Sequence, residues 1–126
     1  MLTQEQGIGF MAAMLDALNS RDRDRWLSFF ADDFAEETPA GTPPTKAPET
    51  LTTAWDDAFG PGGPEWKLET LQLITCGNEI AVQGRYPGRI GGKDIVLDSI
   101  EVWMVDDNLK AHYRRSFFVP FTAPEG

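Results

Sequence analysis

The chain has 126 residues, with 11 Lys and Arg against 20 Asp and Glu, for a formal net charge of −9. That length fits one domain around a single core, and a field of that sign repels phosphate backbones and anionic lipid, which argues against nucleic acid and membrane surfaces as partners. Apolar residues at 41% and aromatics at 11% make a globular composition, not a disordered one.

Thr3-Gln-Glu-Gln6 is a capping box, in which the Thr hydroxyl and the Gln side chain satisfy two orphan amides at a helix start. Ile8, Met11, Leu15 and Leu18 then recur at helical spacing, widened by Phe10 and Met14, which predicts a helix over residues 4–19. Asn19-Ser20 ends it and can cap a second, Asp22 to about Phe30, with Trp26, Leu27, Phe29 and Phe30 on its apolar side. Phe34 to Glu37 reads as short and extended. Pro39 to Pro48 holds four of the nine prolines and is a loop. Pro48 suits the first turn of a third helix, whose apolar face is Leu51, Ala54, Trp55 and Phe59.

At Gly60-Pro-Gly-Gly-Pro64 the pattern changes from helical to strand. Trp66, Leu68, Leu71 and Leu73 belong to a strand whose alternation slips once, as at a bulge. Cys76-Gly-Asn78 is a turn, and Glu79 to Tyr86 alternates with Ile80 and Val82 on one face. Pro87 to Asp94 reads as a hairpin loop, Ile95 to Val105 as a long strand, Leu109 to Val119 as the last, and Pro120 to Gly126 as a loose tail. Helices first and a four-strand meander after them give an α+β fold: a curved antiparallel sheet wrapped around its long helix, with one end open as a pocket.

One cysteine, Cys76, and one histidine, His112, cannot build an intrachain disulfide or a thiolate- or His-rich zinc site. The start lacks the basic and apolar regions of a secretory signal, and no apolar run reaches transmembrane length. A soluble cytoplasmic protein is expected. Nucleotide and hydrolase signatures (GxGxxG, GxxxxGK[ST], GxSxG, HExxH) are missing, so no cofactor and no metal are expected.

Glu36-Glu37 precedes the Pro-rich loop. Such a pair is a solvated loop edge unless one carboxylate points into an apolar pocket, where it becomes a competent proton acceptor or donor. In the long strand, alternation puts Ser99, Glu101, Trp103 and Val105 on one face and Asp98, Ile100, Val102 and Met104 on the other. Glu101 therefore sits on a largely apolar face, where a charge is costly unless it escapes to water or is neutralised in a cavity. In the last strand, His112, Arg114, Ser116 and Phe118 share a face. An inward Arg opposite Glu101 or Glu37 makes an ion pair able to polarise a substrate oxygen.

Met11 to Leu18, the run from Asn19 through Trp26 to Asp33, Glu36-Glu37-Thr38-Pro39, Pro43-Pro44, Val96 to Val102 and Arg115 to Phe118 together resemble the nuclear-transport-factor-2-like superfamily, in particular its ketosteroid-isomerase and SnoaL-like branch. The resemblance implies a cone of curved sheet over a long helix, a homodimer formed through the sheet, and one hydrophobic pocket. That pocket serves isomerases, cyclases, dehydratases, epoxide hydrolases and non-catalytic binding modules alike. The steroid isomerases' base falls at Thr38, one step after Glu37. Their oxyanion-hole acid matches Glu101, and their pocket tyrosines fall at Met14 and Trp55.

The reading that follows is a small cofactor-independent pocket enzyme for proton transfer (isomerisation, cyclisation or dehydration) on a hydrophobic steroid- or polyketide-like metabolite. Glu101 would be the buried acid or base and Glu37 its partner. Arg114 or His112 would polarise an oxygen, and Trp55, Trp103, Phe118, Met14 and Ser99 would hold the substrate. The alternative is a non-catalytic ligand-binding or dimerisation module, with the pocket plugged by Met14, Trp55 and Trp103. A third reading opens epoxides with an acid–Arg–acid set of Glu101, Arg114 and Asp98, although alternation points Asp98 away from Glu101.

Overall fold

The structure, a computed structural model, describes residues 1–119. The expected loose tail, Pro120 to Gly126, lies outside the described residues. The elements in chain order are α1 (Gln4–Asn19), α2 (Arg23–Leu27), β1 (Phe30–Glu37), β2 (Thr45–Lys46), α3 (Glu49–Phe59), β3 (Glu69–Cys76), β4 (Glu79–Ile90), β5 (Lys93–Val105) and β6 (Ala111–Phe118).

The capping box forms as read. Thr3 Oγ1 accepts from the Gln6 amide at 3.0 Å, and Gln6 Oε1 accepts from the Thr3 amide at 2.9 Å. The buried face of α1 is Gly7, Phe10, Met11, Met14 and Ala17, so Ile8, expected in the stripe, is exposed instead. The phase is set by β3: Gly7 approaches so closely that a Cβ there would collide with the Thr75 hydroxyl. Amides at both ends of the helix bond the same edge of the sheet. Gln4 bonds the Leu73 carbonyl and Thr75 amide, each at 2.8 Å, and Asn19 bonds the carbonyl and amide of Leu68 at 3.0 and 2.9 Å. The helix thereby covers an edge strand that would otherwise be open to pairing.

One six-stranded sheet runs in the order β2-β1-β6-β5-β4-β3. β1 lies parallel to β6, and the other neighbours are antiparallel. The second helix is shorter than expected because Phe30 pairs with Ala111 and so opens β1. The expected slip in β3 falls between Thr70 and Gln72. The hairpin loop expected over Pro87 to Asp94 contracts to Gly91-Gly92, whose φ of +58 and +77° suits glycine at the tip of a two-residue turn. β4 continues through Pro87 because its pairing with β3 has already ended at Arg85, so the missing amide faces no ladder.

The core lies between the concave face of the sheet and the helices. Phe34, Met11, Met14, Ile80 and Val105 are fully enclosed, each contributing about 1.5–3 kcal/mol by leaving water. Trp26, Phe30, Phe34 and Trp103 form a ring cluster with centroid separations of 4.7–6.5 Å. It surrounds the inner part of the fold and leaves the end beyond Trp55 open.

Candidate active site

The open end holds a cavity of about 360 Å³. Trp55 and Phe59 from α3 form one wall, and Trp66, Tyr86, Leu97 and Phe118 form the sheet side. Trp66 lies flat against the sheet because residue 88 is glycine: a Cβ there would sit 2.7 Å from the indole. Beneath the cavity is an inner lobe of about 50 Å³, lined by Met14, Trp103, Tyr86, Glu36, Glu101 and Arg114 among others. Seven residues, Glu101, Arg114 and Tyr86 among them, line both spaces, so the lobe is the floor of the cavity.

Three charged side chains meet at this floor. Arg114 sits on β6 beside Glu36 of β1 and Trp103 of β5. Its two terminal nitrogens divide between two acids: Nη2 donates to Glu36 Oε1, and Nη1 donates to Glu101 Oε1 at 3.1 Å. Glu36 is 2% exposed and Glu101 5%. The guanidinium also lies 5.2 Å from the centre of the Trp103 ring. Burial works against the charge on Arg114, but Glu101 and then Glu36 outweigh it and hold the guanidinium more firmly protonated than usual. The second oxygen of Glu36 accepts from Thr50 Oγ1 at 2.9 Å, and Thr50 in turn contacts Thr45 Oγ1 at 2.7 Å.

Tyr86 completes the floor. Its ring folds back over Gly84, where a Cβ would stand 3.1 Å from Cε1, and its hydroxyl faces Ser99 and Glu101. Burial first, and then the neighbouring Glu101 charge, push the phenol well above its ordinary range, so it remains a proton donor. Trp103 Nε1, Arg114 Nε and Ser116 Oγ, on residues of the same wall, are buried and have no hydrogen-bond partner.

The sequence-derived residues divide accordingly. Glu101, Arg114, Ser99, Trp55, Trp103, Phe118 and Met14 all line the cavity or its floor. Glu37 does not. It pairs with Arg115 where Glu36 pairs with Arg114, so its side chain emerges on the opposite face, toward Tyr113, Arg115 and the Gly41 amide. The Tyr113 hydroxyl foremost, then the Gly41 amide, hold its carboxyl below the usual range. No bulge between residues 35 and 37 intervenes, and Glu36 takes the inward place. His112 is also turned away: Met104 pairs with Tyr113 but Val105 pairs with Ala111, so His112 is the extra residue of a bulge and is exposed. Asp98 pairs with Arg85 at 3.2 Å on the outer face, so the acid–Arg–acid set exists with Glu36 in its place. Two residues went unassigned from sequence. Tyr86 was legible, since Ile80, Val82, Gly84 and Tyr86 share one parity; Thr50 carried no signal. Among the described residues, no group of three or more His, Cys, Asp or Glu side chains could hold a metal ion.

A family model described as a SnoaL-like domain matches residues 11–113. The chain belongs to the SnoaL-like branch of the nuclear-transport-factor-2-like superfamily. No curated protein matches. Among solved structures, this SnoaL-like chain is similar to SalBIII, described as an epoxide hydrolase/cyclase-like enzyme in pyran ring formation in the polyether salinomycin. The TM-score is 0.83 at 15% identity, over 94% of this chain and 95% of that one. It is also similar to an LEH-like epoxide hydrolase of M. tuberculosis, with a TM-score of 0.73 at 20% identity, over 90% of this chain and 82% of that one. These likenesses show the SnoaL-like fold. No helix among the described residues is long and apolar enough to cross a membrane.

Proposed function

We propose that this protein is a cofactor-independent acid–base enzyme that opens an epoxide on a hydrophobic small molecule. The observation that carries this reading is the floor of the cavity, where one arginine holds two buried carboxyl groups apart beneath an apolar, aromatic-walled chamber. The trio is electrically neutral when one carboxyl carries a proton, which gives an acid and a base in one site. In this reading Glu36 is the base and Glu101 the acid, with the neighbouring Tyr86 as a second donor.

An oxygen nucleophile loses its proton to Glu36 and forms a bond to one epoxide carbon. The strained C–O bond breaks, and its electron pair goes to the ring oxygen, which takes the proton of Glu101. Arg114 keeps its charge throughout and fixes the spacing of the pair. With water as nucleophile the product is a diol; with a hydroxyl of the substrate it is a cyclic ether. The epoxide chemistry named for the two structural neighbours supports this choice within the fold.

A second reading is proton transfer next to a carbonyl, as in isomerisation or dehydration. The juxtaposition of Tyr86 and Glu101 favours it, because two adjoining donors can seat one developing oxyanion. A panel of apolar epoxides, hydroxy-epoxides and enolisable ketones separates the two. Epoxides are expected to yield diols carrying oxygen from labelled water, and hydroxy-epoxides cyclic ethers. Glu36→Gln and Glu101→Gln should each lower kcat/KM by about 100-fold or more. Deuterium exchange into ketones with epoxides untouched would replace the first reading with the second. Ligand binding without any turnover would leave the binding-module alternative.

A further inference from the structure

Glu36 can be reached from two sides. Besides the inner lobe, it lines a groove of about 500 Å³ that adjoins the cavity, sharing Thr38, Ala54, Asp57 and Arg114 with it, and that also holds Thr45, Lys46, Glu49 and Thr50. Glu101 lines the cavity and the lobe but not this groove, and Arg114 lines all three spaces. The two acids therefore have different outlets: Glu101 toward the apolar chamber, Glu36 toward the groove.

A line of hydroxyls runs from Glu36 along the groove toward the surface. The edge strand β2 is only two residues long and sets Thr45 directly beside Glu36. Thr50, in the first turn of α3, lies between them. Exposure rises along the line, from Glu36 at 2% through Thr50 at 8% to the exposed Thr45. A carboxylate has no proton to give, so Thr50 donates to Glu36 across 2.9 Å and Thr45 must donate to Thr50 across 2.7 Å. When Glu36 takes up a proton the same three groups can reverse: Glu36 donates to Thr50, Thr50 passes its own proton to Thr45, and Thr45 passes one to water. One proton enters and one leaves.

We propose that Thr50 and Thr45 are the proton outlet of Glu36, opening on the groove, so that Glu36 returns to carboxylate while product still fills the cavity; Glu101 regains its proton from water that enters the chamber when product leaves. The proposal rests on Glu36 acting as the base. Thr50 and Thr45 are positioning residues that act through Glu36. The other charged groups near Glu36 are Arg114 and Glu101 on the cavity side and Lys46, Glu49 and Asp57 in the groove.

The test uses Thr50→Val, Thr50→Ser and Thr45→Val, the last at an exposed position where folding is not at stake. First, the protein is labelled at glutamate carboxyl carbons, and the Glu36 resonance is identified by its loss in Glu36→Gln. Its titration midpoint should rise by half a pH unit or more in Thr50→Val and stay put in Thr50→Ser, because only the former loses the donor to the charged form. An unmoved midpoint in Thr50→Val would overturn the hydroxyl link, whatever the substrate proves to be. Second, with an epoxide that turns over, Thr50→Val and Thr45→Val should lower kcat about tenfold with kcat/KM retained, while formate or imidazole in the buffer restores kcat by carrying the proton instead. An equal fall in kcat and kcat/KM with no buffer rescue would make the threonines structural only. If Glu36→Gln turns over normally, the base assignment itself fails. The carboxyl titration still decides whether the link exists.

Discussion

Replacing Arg114 with Met tests the physical core of this site. The side chain of Arg114 is 20% exposed, and its partners Glu36 and Glu101 are 2% and 7% exposed, so its loss strands two carboxyl groups with little water. Breaking a buried ion pair in this way costs about 3–5 kcal/mol. Each stranded carboxyl can escape by taking up a proton. That costs about 1.4 kcal/mol for each unit by which the pH exceeds its ordinary value, so up to about 3.7 kcal/mol at pH 7 and only about 1 at pH 5. The deficit of Arg114→Met relative to the parent protein should therefore be about 3–5 kcal/mol at pH 7, a Tm lower by roughly 12–20 °C for a domain of this length, and should shrink steadily toward pH 5. Urea unfolding followed by tryptophan fluorescence reads the difference without screening charges. Adding Glu36→Gln and Glu101→Gln to the variant should recover much of the loss at pH 7, because an unpaired charge no longer has to be buried. A deficit below about 1 kcal/mol, or one that does not change between pH 7 and pH 5, would refute the account of Arg114 as the bridge of a desolvated cluster.

Two further outcomes follow. Glu37→Gln and His112→Ala should leave turnover unchanged, because both side chains lie off the cavity; steady-state kinetics on an epoxide that the parent protein accepts would check it. Neither of the two tyrosines should ionise in the ordinary phenol range while the protein is folded. Tyr86 is raised first by burial and Tyr113 first by its bond to Glu37. Since both folded values exceed the unfolded ones, the stability they contribute is complete below about pH 10 and is lost as the pH rises beyond it. Near-ultraviolet phenolate absorbance from Tyr86, isolated by comparison with Tyr86→Phe, should appear only together with unfolding.

How much of the site was legible depends on which signals are local. The capping box at Thr3 to Gln6, the helix to Asn19 and the inward set Ser99, Glu101, Trp103 and Val105 are fixed by neighbours a few residues away, and they stand where the pattern put them. Alternation also marked Arg114, Ser116 and Phe118 as one face. A period of two says which residues share a face, but not which face is inside, and one inserted residue reverses the answer. Choosing Glu36 over Glu37 needed the parallel pairing of β1 with β6, in which Glu36 meets Arg114 and Glu37 meets Arg115. Turning His112 outward needed the bulge against Val105 and Met104. The meeting of Glu36, Arg114, Glu101 and Thr50 brings together side chains from β1, β6, β5 and α3. Only the packed sheet and helix bring them within hydrogen-bonding distance, because no local interaction links positions so far apart in the chain.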